Sequence, residues 1–149
     1  MVPERSFAML KPGVLQRRIA GEVLSRIERK GLRMVAAKLM TISREQAERH
    51  YAEHAGKDFY PGLIRYMTSA PVLAFVVEGR DAVSSLRKLA GATDPSKAEA
   101  GTIRGDYGAY TSRNIIHASD SPESAAREIG LFFSADELHP WADGNDPWI

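Results

Sequence analysis

Four histidines are spread over 149 residues, and one of them sits where nucleophilic chemistry is feasible. His117 lies in Asn114-Ile115-Ile116-His117-Ala118-Ser119-Asp120-Ser121, at the junction of an apolar segment and a helix start. The two isoleucines anchor the backbone, and hydroxyls and a carboxylate crowd the other side. A histidine ring with an ordinary pKa of about 6.5 is largely uncharged at neutral pH, so one ring nitrogen keeps a lone pair for attack. A hydrogen bond to the other nitrogen decides which one, and Glu128, further along the chain, is the candidate partner. A lone histidine is commonly an inert surface or core residue; the neighbourhood singles this one out.

A set of cations comes next. Lys11 ends the first apolar segment, Arg87 lies on a helical stretch, and Arg104 sits inside Gly101-Thr102-Ile103-Arg104-Gly105-Asp106-Tyr107-Gly108. Most of the 20 basic residues must be solvated surface. Arg104 stands out because flanking glycines let the backbone approach a ligand, and a guanidinium fork can bind two phosphate oxygens at once. Thr93 adds a hydroxyl at the entrance to the same stretch. Neither G-x-x-x-x-G-K-[ST] nor G-x-G-x-x-G occurs, so any nucleotide is bound outside those two families. His50, His54 and His139 form no metal constellation with carboxylates at a recognisable spacing, and no protein-ligated metal is expected. Phe59 follows polar residues and could offer a ring face to a base, whereas the other aromatics read as core.

The elements that position these groups are legible from periodicity. Arg5 to Leu10 reads as a strand broken by Pro12-Gly13. Leu15, Ile19, Val23 and Ile27 recur every fourth residue among charged neighbours, the mark of an amphipathic helix stopped by Gly31. Leu32 to Ile42 reads as a strand, and Ser43 with Gln46 as a capping box opening a helix through Ala52. A short helix is expected over Pro61 to Met67, and a buried strand over Val72 to Glu78. A helix capped by Asp81 and closed by Gly91 follows. Ala92 to Arg113 shows no period and reads as a long functional loop. Asn114 to Ala118 reads as the last strand, Ser121-Pro122 as the start of a helix through Ile129, and the tail from Leu138 as irregular. With the short helices as insertions the order is βαββαβ, a ferredoxin-like α+β fold with a four-stranded antiparallel sheet covered by helices.

Bulk properties agree. The chain is of a length for one domain, residues 1–149, and its 44% apolar content suits a packed core. A net charge of +1 gives no global field for nucleic acid or membrane, so a bound anion must be held by locally gathered charge. The absence of cysteine excludes disulfides, zinc–thiolate sites and thiol catalysis. The apolar run Val72 to Val77 is far shorter than the roughly 20 residues that cross a bilayer. The N-terminus does not read as a signal peptide, and a cytoplasmic location is expected.

The segment Asn114 to Asp120 resembles the active-site signature of nucleoside diphosphate kinases, N-x-x-H, a small residue, then S-D. Lys11-Pro12, Gly91 with Thr93 to Pro95, Gly101 to Asp106 and Glu128-Ile129-Gly130 resemble further segments of that family, in the same order and at similar spacing. The resemblance covers nearly the whole chain. It implies ping-pong transfer of a γ-phosphate from a nucleoside triphosphate, chiefly ATP, to a nucleoside diphosphate. His117 then resembles the phosphorylated nucleophile, Glu128 its orienting partner, and Ser119 a close neighbour. Lys11 and Asn114 resemble groups holding ribose and phosphates, and Arg87, Thr93 and Arg104 the phosphate clamp. Phe59 resembles the ring under the base, and Tyr51 a tyrosine close to the histidine. The resemblance also implies Mg2+ held mainly by substrate phosphates, and a homo-oligomer, tetramer or hexamer, built from dimers. Gly13, Ala118 and Thr111 depart from the family's common residues. An RNA-binding sheet of the same architecture lacks support, because no K/R-G-F/Y-G/A-F-V-type segment is present. A catalytically silent scaffold is disfavoured by intact residues at every matched functional position.

Overall fold

The structure, a computed structural model, describes residues 3–149. Its strands are β1 (Glu4–Leu10), β2 (Arg33–Met40), β3 (Val72–Gly79) and β4 (Ile116–Ala118). The helices are α1 (Ala20–Arg29), α2 (Arg44–His50), α3 (Tyr60–Met67), α4 (Ala82–Ala90), α5 (Ile103–Tyr107) and α6 (Pro122–Phe132). The sheet order is β2-β3-β1-β4 and every neighbouring pair is antiparallel. This is the ferredoxin-like α+β fold expected from the sequence.

Alternation in the central strands builds two cores, one on each face. Ala8, Leu10, Phe75 and Val77 point to one face, where they pack with Val23 and Ile27 of α1 and Leu86 of α4. Phe7, Met9, Ala74 and Val76 point to the other, against Ala47 of α2, Ile64 of α3 and Phe132 of α6. Because both faces are covered, β1 and β3 read as nearly continuous apolar runs. On β4 the same alternation sends Ile116 and Ala118 to the first core, and His117 opposite Met9 to the second face.

Several elements differ from the sequence reading. The first helix begins at Ala20, although apolar spacing extends it back to Leu15. Gly13 (φ 99°) and Arg18 (φ 58°) adopt left-handed backbone, which an α-helix cannot contain, so this stretch winds into turns. Ile19, Val23 and Ile27 of the expected stripe reach the first core, but at its start Val14 is buried there in place of Leu15. Asp81 precedes α4 with φ 49° and makes no side-chain cap; Glu4 Oε1 accepts from Val83 N instead, at 2.8 Å. The stretch Ala92 to Arg113 is not structureless. It holds α5, capped by Thr102, and 3-10 turns at Pro95–Lys97 and Thr111–Arg113. Helix α6 runs on to Phe132. In the tail, Trp141 Nε1 donates to Met34 O at 2.8 Å, whereas Trp148 is 83% exposed.

The capping box at α2 is present in both directions, Ser43 Oγ accepting from Gln46 N at 3.1 Å and Gln46 Oε1 accepting from Ser43 N at 3.1 Å. Replacing Ser43 by Ala is expected to lower unfolding stability by about 1 kcal/mol. Chemical denaturation checks it, and an unchanged midpoint would contradict the assignment.

Candidate active site

The approach to β4 is a strained turn. Ile116 N donates to Asn114 O at 2.8 Å across Ile115, whose φ is 73°. A hydrogen bond spanning two residues with positive φ at the centre is the rare, strained form of γ-turn. For a β-branched residue that conformation stores roughly 1–3 kcal/mol. The surroundings hold it in place: Ile115 is buried in the first core, and its carbonyl accepts from Lys11 N at 2.9 Å. The turn shortens the expected strand to Ile116–Ala118 and turns Asn114 off the sheet, so that Asn114 Oδ1 accepts from Lys11 Nζ at 2.6 Å. Its Nδ2 donates to Thr93 O at 3.0 Å.

His117 Nε2 lies 2.9 Å from Glu128 Oε1, which also accepts from Ser119 Oγ at 2.6 Å. Burial would raise the Glu128 pKa, but the bonds from His117 and Ser119, with the nearby imidazoles, prevail and hold it below the usual carboxylate range. An ionised carboxylate only accepts, so Nε2 carries the proton and the Nδ1 lone pair is free. Helix α6 supplies this carboxylate because Ser121 Oγ caps it, accepting from Ser124 N at 3.0 Å, and Phe132 anchors its far end in the second core.

The cations divide into two kinds. Lys11 is half-buried; burial and the repulsion of Arg104 pull its pKa down to about 7. Arg87 Nη1 donates to Ala118 O at 3.1 Å, tying α4 to the end of β4. Arg104 is buried and spends its fork on the backbone. Nε donates to Asn114 O at 3.1 Å, Nη1 to Gly91 O at 2.9 Å and Nη2 to Ile116 O at 2.6 Å. Burial and Arg87 lower its pKa to about 10, so it remains a cation at neutral pH. The sequence reading aimed this guanidinium at a ligand. The structure adds a task it did not foresee, clamping both sides of the strained turn to the end of α4. Gly91 (φ 86°) permits this close approach, since a Cβ there would run into the Thr102 side chain.

Beside these groups opens a cleft of about 990 Å³ whose wall includes Lys11, Tyr51, Phe59, Thr93, Thr111 and Asn114. Phe59 is 54% exposed, an unusual state for a phenylalanine and one that leaves its ring free for stacking. Arg113 lies over Tyr66 at 4.0 Å on the same wall. His117, Arg87 and Arg104 are not part of that wall. Tyr51 connects it to His117: its ring is 4.5 Å from that of His50, and His50 is 4.5 Å from His117. A second hollow, of about 420 Å³, lies between the chain around Gly31 and Gly79 and the C-terminal tail, and contains none of the groups just described.

His50 was missed by sequence reasoning, which found no metal-type constellation around it. The structure gathers His50, His117 and Glu128 into one cluster, their ligand-type atoms all within 4.8 Å of one another. The sequence did carry a signal: Ala47, His50 and Tyr51 fall at helical spacing on one face of the capped helix, and all three are buried.

A histidine ring oriented by a carboxylate beside fixed cations suits transfer of an anionic group, and phosphotransferases are the class that this fold and site define. Comparison with known proteins narrows the class. The family model described as nucleoside diphosphate kinase matches residues 4–138. A nucleoside diphosphate kinase from Archaeoglobus fulgidus is 55% identical over 146 residues, covering 98% of this chain and 97% of the relative. One from Treponema pallidum is 57% identical over 145 residues, covering 97% of each. The solved structure of a halophilic nucleoside diphosphate kinase from Halobacterium salinarum in complex with CDP superposes with a TM-score of 0.96 at 48% identity, covering 98% of this chain and 97% of that one. The chain therefore belongs to the nucleoside diphosphate kinase family.

A phosphate group reaching Lys11 favours its charged form, so nucleotide binding at pH 8 is expected to take up close to one proton. Calorimetry in buffers of different ionisation enthalpy checks this, and Lys11→Arg, permanently charged, is expected to abolish the uptake. The same depressed pKa makes the unfolded chain bind more protons between about 7 and 10.5, so this group's contribution to stability rises with pH across that window. Glu128→Gln removes a charge-assisted bond of roughly 1.5–3 kcal/mol and is expected to slow turnover by about 10- to 100-fold. Steady-state assays read that loss directly.

Proposed function

We propose that the chain acts as one kinase domain that carries the γ-phosphate of a nucleoside triphosphate, chiefly ATP, to a nucleoside diphosphate through phosphorylated His117. The observation that carries this reading is the Glu128 carboxylate on His117 Nε2, which leaves the Nδ1 lone pair as nucleophile. Nδ1 attacks the γ-phosphorus, the bond to the β–γ bridging oxygen breaks, and the diphosphate leaves. The ring becomes an N-phosphorylated imidazolium whose positive charge faces ionised Glu128. In the second half, a terminal oxygen of an acceptor diphosphate attacks the phosphorus and the N–P bond breaks, restoring the neutral ring.

Lys11, Arg87 and Arg104 neutralise phosphate oxygens, Asn114 and Thr93 orient ribose and phosphates, and Phe59 stacks the base. Ser119 holds Glu128, and Tyr51 packs beside the histidine pair. Stacking on one exposed ring, without base-edge readout, accepts purines and pyrimidines alike. Magnesium arrives on the nucleotide, bound by phosphate oxygens. The metal-type cluster among the described residues offers two imidazole nitrogens, a poor donor set for so hard a cation. A homo-oligomer, tetramer or hexamer, accounts for the exposed Leu39 on edge strand β2 and for Trp148 and Ile149 in the tail, which are 62%, 83% and 67% exposed. No helix among the described residues is long and apolar enough to cross a membrane, which accords with a cytoplasmic enzyme.

Incubation with γ-labelled ATP and magnesium, without acceptor, tests the mechanism. The protein is expected to acquire label that is lost in acid, survives base and is chased off by GDP. His117→Ala is expected to lose labelling and at least about 10³-fold in turnover while keeping its fold; substantial residual turnover would refute the nucleophile.

A further inference from the structure

The mechanism above leaves a buried neighbour of the nucleophile without a task. His50 ends α2, is 4% exposed, and neither of its ring nitrogens has a hydrogen-bond partner. Buried polar atoms are nearly always paired, so two orphans on one ring call for an explanation. Burial, then repulsion from His117, pulls the His50 pKa down to about 3, so the ring is neutral at every working pH and both lone-pair and proton positions stay available. Its Nδ1 is 3.9 Å from Glu128 Oε2, too far for a hydrogen bond. Glu128 Oε1 is 2.9 Å from His117 Nε2 on the other side. Arg127 Nη2 is also close to this carboxylate, 3.6 Å from Oε2 and half-exposed.

Two imidazole nitrogens and one carboxylate oxygen therefore converge on a space where all three donors lie within 4.8 Å of one another. Tetrahedral zinc with bonds of about 2.0–2.1 Å sets its ligand atoms roughly 3.3 Å apart, so closing the site takes side-chain shifts of about an ångström. Two histidines and a glutamate, with a fourth position for water, form a donor set that binds zinc-type ions and that magnesium and calcium leave to softer metals. His117 keeps 20% of its side chain exposed, which gives an ion a route in from solvent.

We propose that His50, His117 and Glu128 form a binding site for a divalent transition-metal ion of the zinc type, separate from the magnesium carried by the nucleotide, and that occupancy switches the nucleophile off. The inference rests on the phosphohistidine reading of this site. The metal takes the Nε2 lone pair of His117, and the proton that Nε2 held moves through solvent to Nδ1. The ring remains neutral and no proton is lost overall, but the lone pair that attacks phosphorus is gone. Glu128, now bound to metal, no longer faces the imidazolium. Inhibition therefore falls on kcat, leaving KM for nucleotide nearly unchanged, because the cleft wall around Phe59 is untouched.

Nucleotide-free protein titrated with Co2+ tests the site directly. The expected result is one Co2+ per chain with visible bands of a four- or five-coordinate nitrogen-containing site, displaced by Zn2+. His50→Gln is expected to weaken Co2+ binding by at least about 10- to 100-fold. Bands of the six-coordinate aquo type only, or equal affinity in the variant, would overturn the proposal. Should His50→Gln fail to fold, 15N-histidine-labelled wild type decides: Zn2+ must shift the ring nitrogens of both His50 and His117, and a shift of His117 alone refutes the site. With Mg-ATP present, Zn2+ is expected to reduce phosphoenzyme formation at least tenfold, restored by a zinc-selective chelator. Tight Co2+ binding in a protein that never labels with ATP would sink the kinase mechanism and leave the metal site standing, so the two ideas fail separately.

Discussion

The hydrogen bond from His117 Nε2 to ionised Glu128 is the constraint on which the rest depends. A neutral imidazole has one donor and one acceptor nitrogen, and only a fixed acceptor decides which is which. Glu128 can serve only if it stays ionised, and burial opposes that. Two hydrogen bonds converging on Oε1, from His117 and Ser119, reverse the balance. The fold exists locally to keep these three residues in register. β4 gives His117 and is followed directly by Ser119, α6 gives Glu128, and Phe7 O of β1 accepts from Ser119 N at 3.0 Å to tie strand and site together.

Strain and clamp belong to the same design. A strand three residues long cannot hold a side chain by ladder bonds alone. The γ-turn at Ile115 drops the chain into that strand from the correct side, and Arg104 keeps the turn closed by binding carbonyls before it, after it and on Gly91. Three charge-assisted bonds to backbone outweigh a strain of roughly 1–3 kcal/mol at Ile115. Burial and, from across the site, the same guanidinium depress the Lys11 pKa, so one buried cation contributes to both the geometry and the charge state of the site.

How much of this was legible in the sequence follows from the range of each interaction. The strands, α2 with its capping box and the α+β order rest on local periodicity and caps, and they read correctly. Helix α1 was extended too far because the spacing of Leu15 and Ile19 matches that of Val23 and Ile27, while the left-handed Arg18 that forbids the helix leaves no mark in a periodicity pattern. Helix α5 is shorter than any window that could reveal a period. At the site, the contact between His117 and Glu128 was recoverable from residue type and setting. His50 was not, because its proximity to His117 depends on α2 and β4 meeting over β1, a contact between residues far apart in the chain. The backbone-directed role of Arg104 was hidden for the same reason: flanking glycines signal close approach but not what is approached.

Before substrate arrives, the site keeps its charge low. Lys11 is near half-protonation at neutral pH, His50 is neutral, and Arg104 is covered by carbonyl dipoles. A fully charged cluster of that density would repel itself and destabilise the fold. Under the proposed mechanism, delaying full protonation of Lys11 until phosphate is present makes the cation appear where and when the transferred group needs it. An electrostatic interaction that strengthens with the bound anion serves exchange in both directions, since neither nucleotide meets a permanently over-charged pocket from which release would be slow.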